Sequence, residues 1–112
     1  MKLLVCGTRR EGYREIVWEQ LDISLKHFGA ELEIIEGCCP DSADDYAEDW
    51  AKVSKVKIRH FPSHSGNYLK RNIEMVNVCD GVLAFWDGYS YGTCHTIAQA
   101  ILNNKKVKII RI

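Results

Sequence analysis

An α/β fold, with a five-stranded parallel sheet between two layers of helix, is what this chain predicts, and three observations carry it. Short apolar runs alternate with segments of helical period along the whole sequence. Those runs are continuous rather than alternately polar, as strands covered on both faces require. Glycine or a polar cluster follows most of them, as strand-to-helix turns do.

The elements follow in order. Leu3-Leu4-Val5-Cys6 is a buried strand ending at Gly7. Val17, Leu21, Leu25 and Phe28 recur at helical spacing, and Gly29 stops that helix. His27 falls in its last turn, where a charged form suits the helix dipole. Leu32, Ile34 and Ile35 make a second strand, closed by Gly37. Ser42 or Asp41 caps a helix whose inner face is Ala43, Tyr46, Ala47, Trp50 and Ala51. Val56, Ile58 and Phe61 belong to a short third strand before Pro62, and the polar linker 63–67 follows. Leu69, Ile73 and Val76 mark the inner face of the third helix. Val82 to Trp86 is the fourth strand, Ile97, Ala98, Ile101 and Leu102 line the fourth helix, and Val107 to Ile110 is the fifth strand.

A chain of 112 residues is read as a single domain, residues 1–112. Fifteen basic and 15 acidic residues cancel, so no basic excess is available to hold a nucleic-acid backbone, and general nucleic-acid binding is not expected. No apolar run approaches a membrane span, and the first is too short for a signal peptide. The five cysteines, Cys6, Cys38, Cys39, Cys79 and Cys94, are odd in number. With no signal peptide they are read as free thiols in a reducing, cytoplasmic setting. None has the two-residue spacing of a zinc knuckle, so no metal and no cofactor is expected. Cys94 lies near a predicted helix N-terminus but has no assignable catalytic partner.

Ligands of such sheets bind at the carboxyl ends of the strands. The segments there are Gly7-Thr8-Arg9, then Glu36-Gly37 onward, then His60 to His64, and finally Asp87-Gly88-Tyr89-Ser90-Tyr91-Gly92-Thr93. The last is a glycine-containing loop opening a helix, which offers free backbone N–H groups to an anion. Arg71, beside Asn72 on the third helix, can add a bidentate clamp. Loop histidines usually titrate in solvent, so His60, His64 and His95 are weaker candidates. Trp18 and Trp50 are read as core or interface, and Trp86 as a strand-end residue of open role.

These motifs resemble the SLOG superfamily, especially its small bacterial and phage branch related to the YspA and YpsA proteins. Val5-Cys6-Gly7-Thr8-Arg9 is similar to the family's opening strand and turn. Glu36-Gly37 through Ser42-Ala43-Asp44 resembles its second motif and helix, Arg71-Asn72 with Met75-Val76 its Arg-Asn-x-x-Met segment, and Ala84 to Asp87 with Gly92-Thr93 its terminal strand and Gly-Thr loop. The resemblance implies a Rossmann-like three-layer sandwich, strand order 3-2-1-4-5, and binding of a nucleotide or nucleotide-derived molecule. The implied ligand-binding set is Gly7, Thr8, Arg9, Gly37, Asp44, Arg71, Asn72, Asp87, Gly88, Gly92 and Thr93.

The sequence also departs from that pattern. LONELY GUY phosphoribohydrolases of the superfamily use an arginine placed like Arg71 and a glutamate three residues after the Gly-Thr threonine; here that position is Thr96. A threonine cannot serve as a carboxylate acid or base. Asp87-Gly88 replaces a double glycine, and Ser42 a glycine of the second motif. Asp44, Glu74 and Asp87, with Glu36 beside them, remain as catalytic carboxylate candidates. Two functions are therefore carried forward: a binder that senses or sequesters a nucleotide-derived molecule, and a small N-glycoside hydrolase or ribosyl-transfer enzyme. Two sheet edges and three tryptophans in a short chain also predict a homo-oligomer.

Overall fold

A computed structural model describes residues 1–63 and 66–112. Its elements run β1 (Lys2–Gly7), α1 (Arg14–Phe28), a 3-10 turn (Gly29–Glu31), β2 (Glu33–Glu36), α2 (Ala43–Ser54), β3 (Lys57–His60), α3 (Tyr68–Val78), β4 (Gly81–Trp86), α4 (Tyr91–Leu102) and β5 (Lys106–Arg111). The sheet is parallel throughout, in the order β3-β2-β1-β4-β5. This is the predicted Rossmann-like α/β sandwich, with the predicted strand order.

Alternation along each strand sends side chains to two cores. Leu3, Val5 and Ile34 pack with α1 and α2 around Tyr13, Val17, Leu21, Trp50 and Phe85. Leu4, Cys6 and Ile35 pack with Met75, Val76, Ile97 and Ala100 of α3 and α4. The edge strands are mostly exposed and carry Lys57 and Arg59 on one side, Lys106, Lys108 and Arg111 on the other. Charge there discourages edge-to-edge pairing.

Local signals behave as the sequence suggests at the first two helices. Gly29 takes a left-handed φ of 65° after α1. Ser42, not Asp41, caps α2: its Oγ accepts from the Asp44 N–H at 3.2 Å. All five predicted inner residues of α2 are buried. The tryptophans are committed internally. Trp50 is buried and its indole donates to Asp22 Oδ1 at 2.9 Å; those of Trp18 and Trp86 donate to the Tyr46 and Ser90 carbonyls.

The third and fourth helices correct the expected inner faces. In α3 the buried residues are Arg71, Asn72, Met75 and Val76, while Ile73 is exposed. In α4 they are Thr93, Thr96, Ile97 and Ala100, while Ala98, Ile101 and Leu102 face outward. Val76 and Ile97 are buried as apolar spacing suggests, but Ile73, Ala98, Ile101 and Leu102 are not, and the inward positions of the first turns carry polar groups that line a cleft.

Candidate ligand-binding cleft

The chain runs β1, β2, β3 toward one edge, then crosses through α3 to put β4 on the other side of β1. At that switch point the loops diverge and leave a cleft of about 570 Å³, within the usual range of roughly 300–1,000 Å³ for small-molecule sites. Five parts of the chain enclose it, Pro62 and Ser63 after β3 among them. Gly7 and Arg9 follow β1; Gly37 to Pro40 and Asp44 follow β2; Tyr68, Arg71, Asn72 and Met75 come from α3; Ser90, Gly92, Thr93 and Thr96 come from the start of α4.

Arg71 organises the middle of the site. It is buried, and its guanidinium bridges three segments. Nε donates to Asn72 Oδ1 at 3.0 Å, and Nη1 donates to the Phe61 carbonyl at 3.0 Å and to that of Gly37. Among the described residues Nη2 meets only the Cys39 sulfur, at 3.8 Å. One edge of the fork is thus committed to the fold while the other lies toward the cleft. Gly37 permits this arrangement, since a Cβ there would fall 2.5 Å from Arg71 Nη1.

The start of α4 contributes donors. Ser90, its N-cap, makes no side-chain cap bond, and the Cys94 N–H is the first to bond back along the helix, to the Ser90 carbonyl. The N–H groups of Tyr91, Gly92 and Thr93 precede it and have no intrahelical acceptor. Asp87 builds this loop by accepting from the Tyr89 and Ser90 N–H groups at 2.8 and 2.9 Å. Those two bonds hold its carboxyl below the usual carboxylate range. Thr96 Oγ1 donates to the Gly92 carbonyl at 3.1 Å.

Asp44 is the cleft's buried carboxylate. Its Oδ2 accepts from the Gly37 N–H at 2.8 Å and the Cys39 N–H at 3.3 Å, folding the β2–α2 loop over the helix start. Burial, then the Glu36 carboxylate, push its pKa up to about 6, against the pull of those N–H groups and Arg71. Burial and Asp44 also push the Cys39 thiol up, while Arg71 and Arg9 draw it back.

Of the ligand set expected from sequence, Gly7, Arg9, Gly37, Asp44, Arg71, Asn72, Gly92 and Thr93 line one cleft. Thr8, Asp87 and Gly88 do not. Thr8 Oγ1 accepts from the Asp87 N–H at 3.1 Å and braces β1 against the β4–α4 loop. Gly88 has a φ of 91° and lies against the Arg111 guanidinium. Among the carboxylates, Glu74 is exposed on α3 and only Asp44 lines the cleft. His95 stacks on Tyr91 away from the cleft lining, and Cys94 is exposed on the first turn of α4. His64 lies outside the described residues.

One cluster has no spacing signal in the sequence. Glu36 and His60 are register partners at the ends of β2 and β3, and the His60 Nδ1 and a Glu36 carboxylate oxygen are in direct contact. Cys38 joins them, its thiol 3.6 Å from Glu36 Oε1 and 3.7 Å from His60 Nδ1. Pairing strands two and three was the missing signal.

The YspA, cpYpsA-related SLOG family matches residues 1–68. The chain belongs to this family. No curated protein matches the chain. The family match takes in the SLOG loops at Gly7–Arg9 and Gly37–Asp44, and it stops before Arg71, Asn72 and the Gly92-Thr93 loop. The last four residues belong to the same cleft by geometry. No helix among the described residues is long and apolar enough to cross a membrane.

Proposed function

We propose that this SLOG protein binds a nucleotide or nucleotide-derived small molecule in the cleft, sensing or sequestering it in the cytoplasm. The observation that carries the reading is convergence on one cavity: the first turn of α4, through Ser90, Gly92 and Thr93, and the Arg71 guanidinium, whose Nη2 makes a long 3.8 Å contact to the Cys39 sulfur. Backbone N–H groups at a helix start suit a phosphate, and a guanidinium edge adds charge-assisted bonds. Membership of the SLOG family supports a nucleotide-related ligand. A membrane or a general nucleic-acid partner is not part of the reading.

The second reading, an N-glycoside hydrolase or ribosyl-transfer enzyme, has one specific support. Asp44 is a buried carboxyl in the cleft with its pKa raised to about 6, suited to proton transfer near neutral pH. Against it, Asp44 Oδ2 is held by two backbone N–H groups, and the Thr96 hydroxyl is committed to its own helix.

One experiment separates the two. The purified protein is incubated with a nucleotide extract, and bound and free molecules are identified by mass spectrometry. The binder reading expects a phosphate-bearing ligand returned chemically unchanged after denaturation. Accumulation of free base or ribose phosphate would favour the enzyme. Neither retention nor turnover of any phosphate-bearing molecule would remove both.

A homo-oligomer belongs to the same proposal. Since the tryptophans point inward, its support is the exposed Ile101 and Leu102 of α4 with Ile109 of the neighbouring β5.

A further inference from the structure

The geometry points to a second site, a zinc-type metal centre formed by Glu36, Cys38 and His60 at the ends of β2 and β3. It is separate from the nucleotide reading, and its test uses the metal alone.

The ligand set is the first argument. A carboxylate oxygen, a thiolate sulfur and an imidazole nitrogen are the three donor types that zinc takes. Oε1, Sγ and Nδ1 lie within 4.8 Å of one another. Tetrahedral bonds of about 2.0–2.3 Å require ligand-to-ligand edges of roughly 3.3–3.8 Å. Two of the three edges already meet this: Sγ to Oε1 is 3.6 Å and Sγ to Nδ1 is 3.7 Å. The third, Nδ1 to Oε1, is closed in direct contact. The His60 side chain is 40% exposed and has room to swing and open it.

The backbone is the second argument. Parallel register sets Glu36 beside His60. Cys38 then takes a left-handed φ of 62°, a conformation costly for a residue with a side chain. That turn brings both its N–H, 2.6 Å from Oε2, and its thiol back to the Glu36 carboxylate.

Charge is the third argument. Glu36 is fully buried and Asp44 nearly so, and buried carboxylates are usually paired or bound to metal. Arg71, the buried guanidinium close by, donates to Gly37, Phe61, Asn72 and Cys39. The partner of Glu36 is an exposed histidine, whose charge depends on protonation. A divalent ion would fill that place. Three protein ligands leave a fourth position open, and Cys38 also lines the cleft, so the ion would sit on its rim.

The test is a calorimetric zinc titration of chelator-treated, reduced protein, with cobalt(II) as a spectroscopic substitute. Wild type should take up one equivalent of zinc. Cys38→Ser and His60→Ala should each bind at least ~100-fold more weakly, since even partners outside the coordination shell are worth roughly 10- to 100-fold. Cys94→Ser, at an exposed thiol away from the cluster, should match wild type. Cobalt should give a thiolate-to-metal charge-transfer band in wild type that Cys38→Ser lacks. Zinc binding equal in wild type and Cys38→Ser, or a wild-type cobalt spectrum without that band, would overturn the site and leave only an ion pair. The wild-type spectrum decides the matter even if a variant fails to fold.

Discussion

On one side of the sheet, α1 and the body of α2 press Val17, Leu21, Ala47, Trp50 and Ala51 inward. On the other, α3 and α4 turn Arg71, Asn72, Thr93 and Thr96 inward beside Met75 and Ile97. The first side closes like an ordinary core. The second packs Met75, Val76, Ile97 and Ala100 onto Leu4, Cys6, Ile35, Val82 and Ala84. Toward the carboxyl ends, buried polar groups bond one another and line the cleft. A polar group turned inward costs stability unless it is bonded. The second side therefore gives up apolar packing for a polar cleft, and the first side must carry more of the stability.

The largest effect that could break this division is at Trp50. Truncating it to alanine removes a buried indole and its bond to Asp22. Phe and Trp truncations in cores cost about 3–5 kcal/mol, a large share of the roughly 5–15 kcal/mol that holds a domain together. Urea unfolding should show that loss, while the folded fraction binds ligand as wild type does. A loss under about 1 kcal/mol would place the stabilising core elsewhere.

Asp44 comes next, where α2 reaches the cleft. Its folded pKa, about 6, lies above the ordinary 3.8. The fold therefore favours the protonated form. That contribution is complete below the ordinary value and is lost as pH rises toward 6. The difference corresponds to on the order of 3 kcal/mol. Asp44→Asn cannot ionise, yet it keeps an oxygen for the Gly37 N–H. Its stability advantage over wild type should therefore grow between pH 4 and 7. Parallel stability–pH curves for the two proteins would show that Asp44 does not titrate in that window.

The same division explains what could be read from the sequence. The inner face of α2 was legible because Ala43, Tyr46, Ala47, Trp50 and Ala51 repeat at helical spacing and pack into one core. The parallel sheet was legible from its continuous apolar strands. In α3 and α4 the period pointed at Ile73, Ile101 and Leu102, which face outward. Arg71 and Thr96 occupy inward positions that line the cleft, and hydropathy does not record a polar lining. Arg71 was legible as a cation beside Asn72 that could join a glycine-containing loop, and from its likeness to a family segment. The bridge it makes to Gly37 and Phe61 needed the fold, as did the meeting of Glu36, Cys38 and His60 across two strands.

Arg71 tests the polar side directly. Its guanidinium holds the β2–α2 and β3–α3 loops while offering Nη2 to the cleft. Removing a charged donor is worth about 1.5–3 kcal/mol, so Arg71→Ala should weaken ligand binding roughly 10- to 100-fold. Some stability should go with it. Arg71→Lys should lose much of the same, because a point charge cannot replace a fork that bonds on two edges. Unchanged affinity in Arg71→Ala, measured by calorimetry with the extracted ligand, would move the binding site out of this cleft.

The smallest expected effect on stability is on the outward face of α4. Ile101 is 59% exposed and Leu102 74%, whereas Ile97, one turn earlier, is 7% exposed. Surface substitutions usually stay within about 0.5 kcal/mol, so Ile101→Ser with Leu102→Ser should leave dilute unfolding almost untouched. Burying the Ser of Ile97→Ser in the core should be plainly destabilising. The homo-oligomer gives the outward pair a second readout. If a second copy covers them, the double change should lower the light-scattering mass at micromolar concentration toward that of one chain, with little change in the monomer's fold. A wild-type protein already monomeric there would end the oligomer proposal. Its exposed isoleucine and leucine would then be unpartnered surface, and the contrast between the two faces of α4 would rest on the cleft alone.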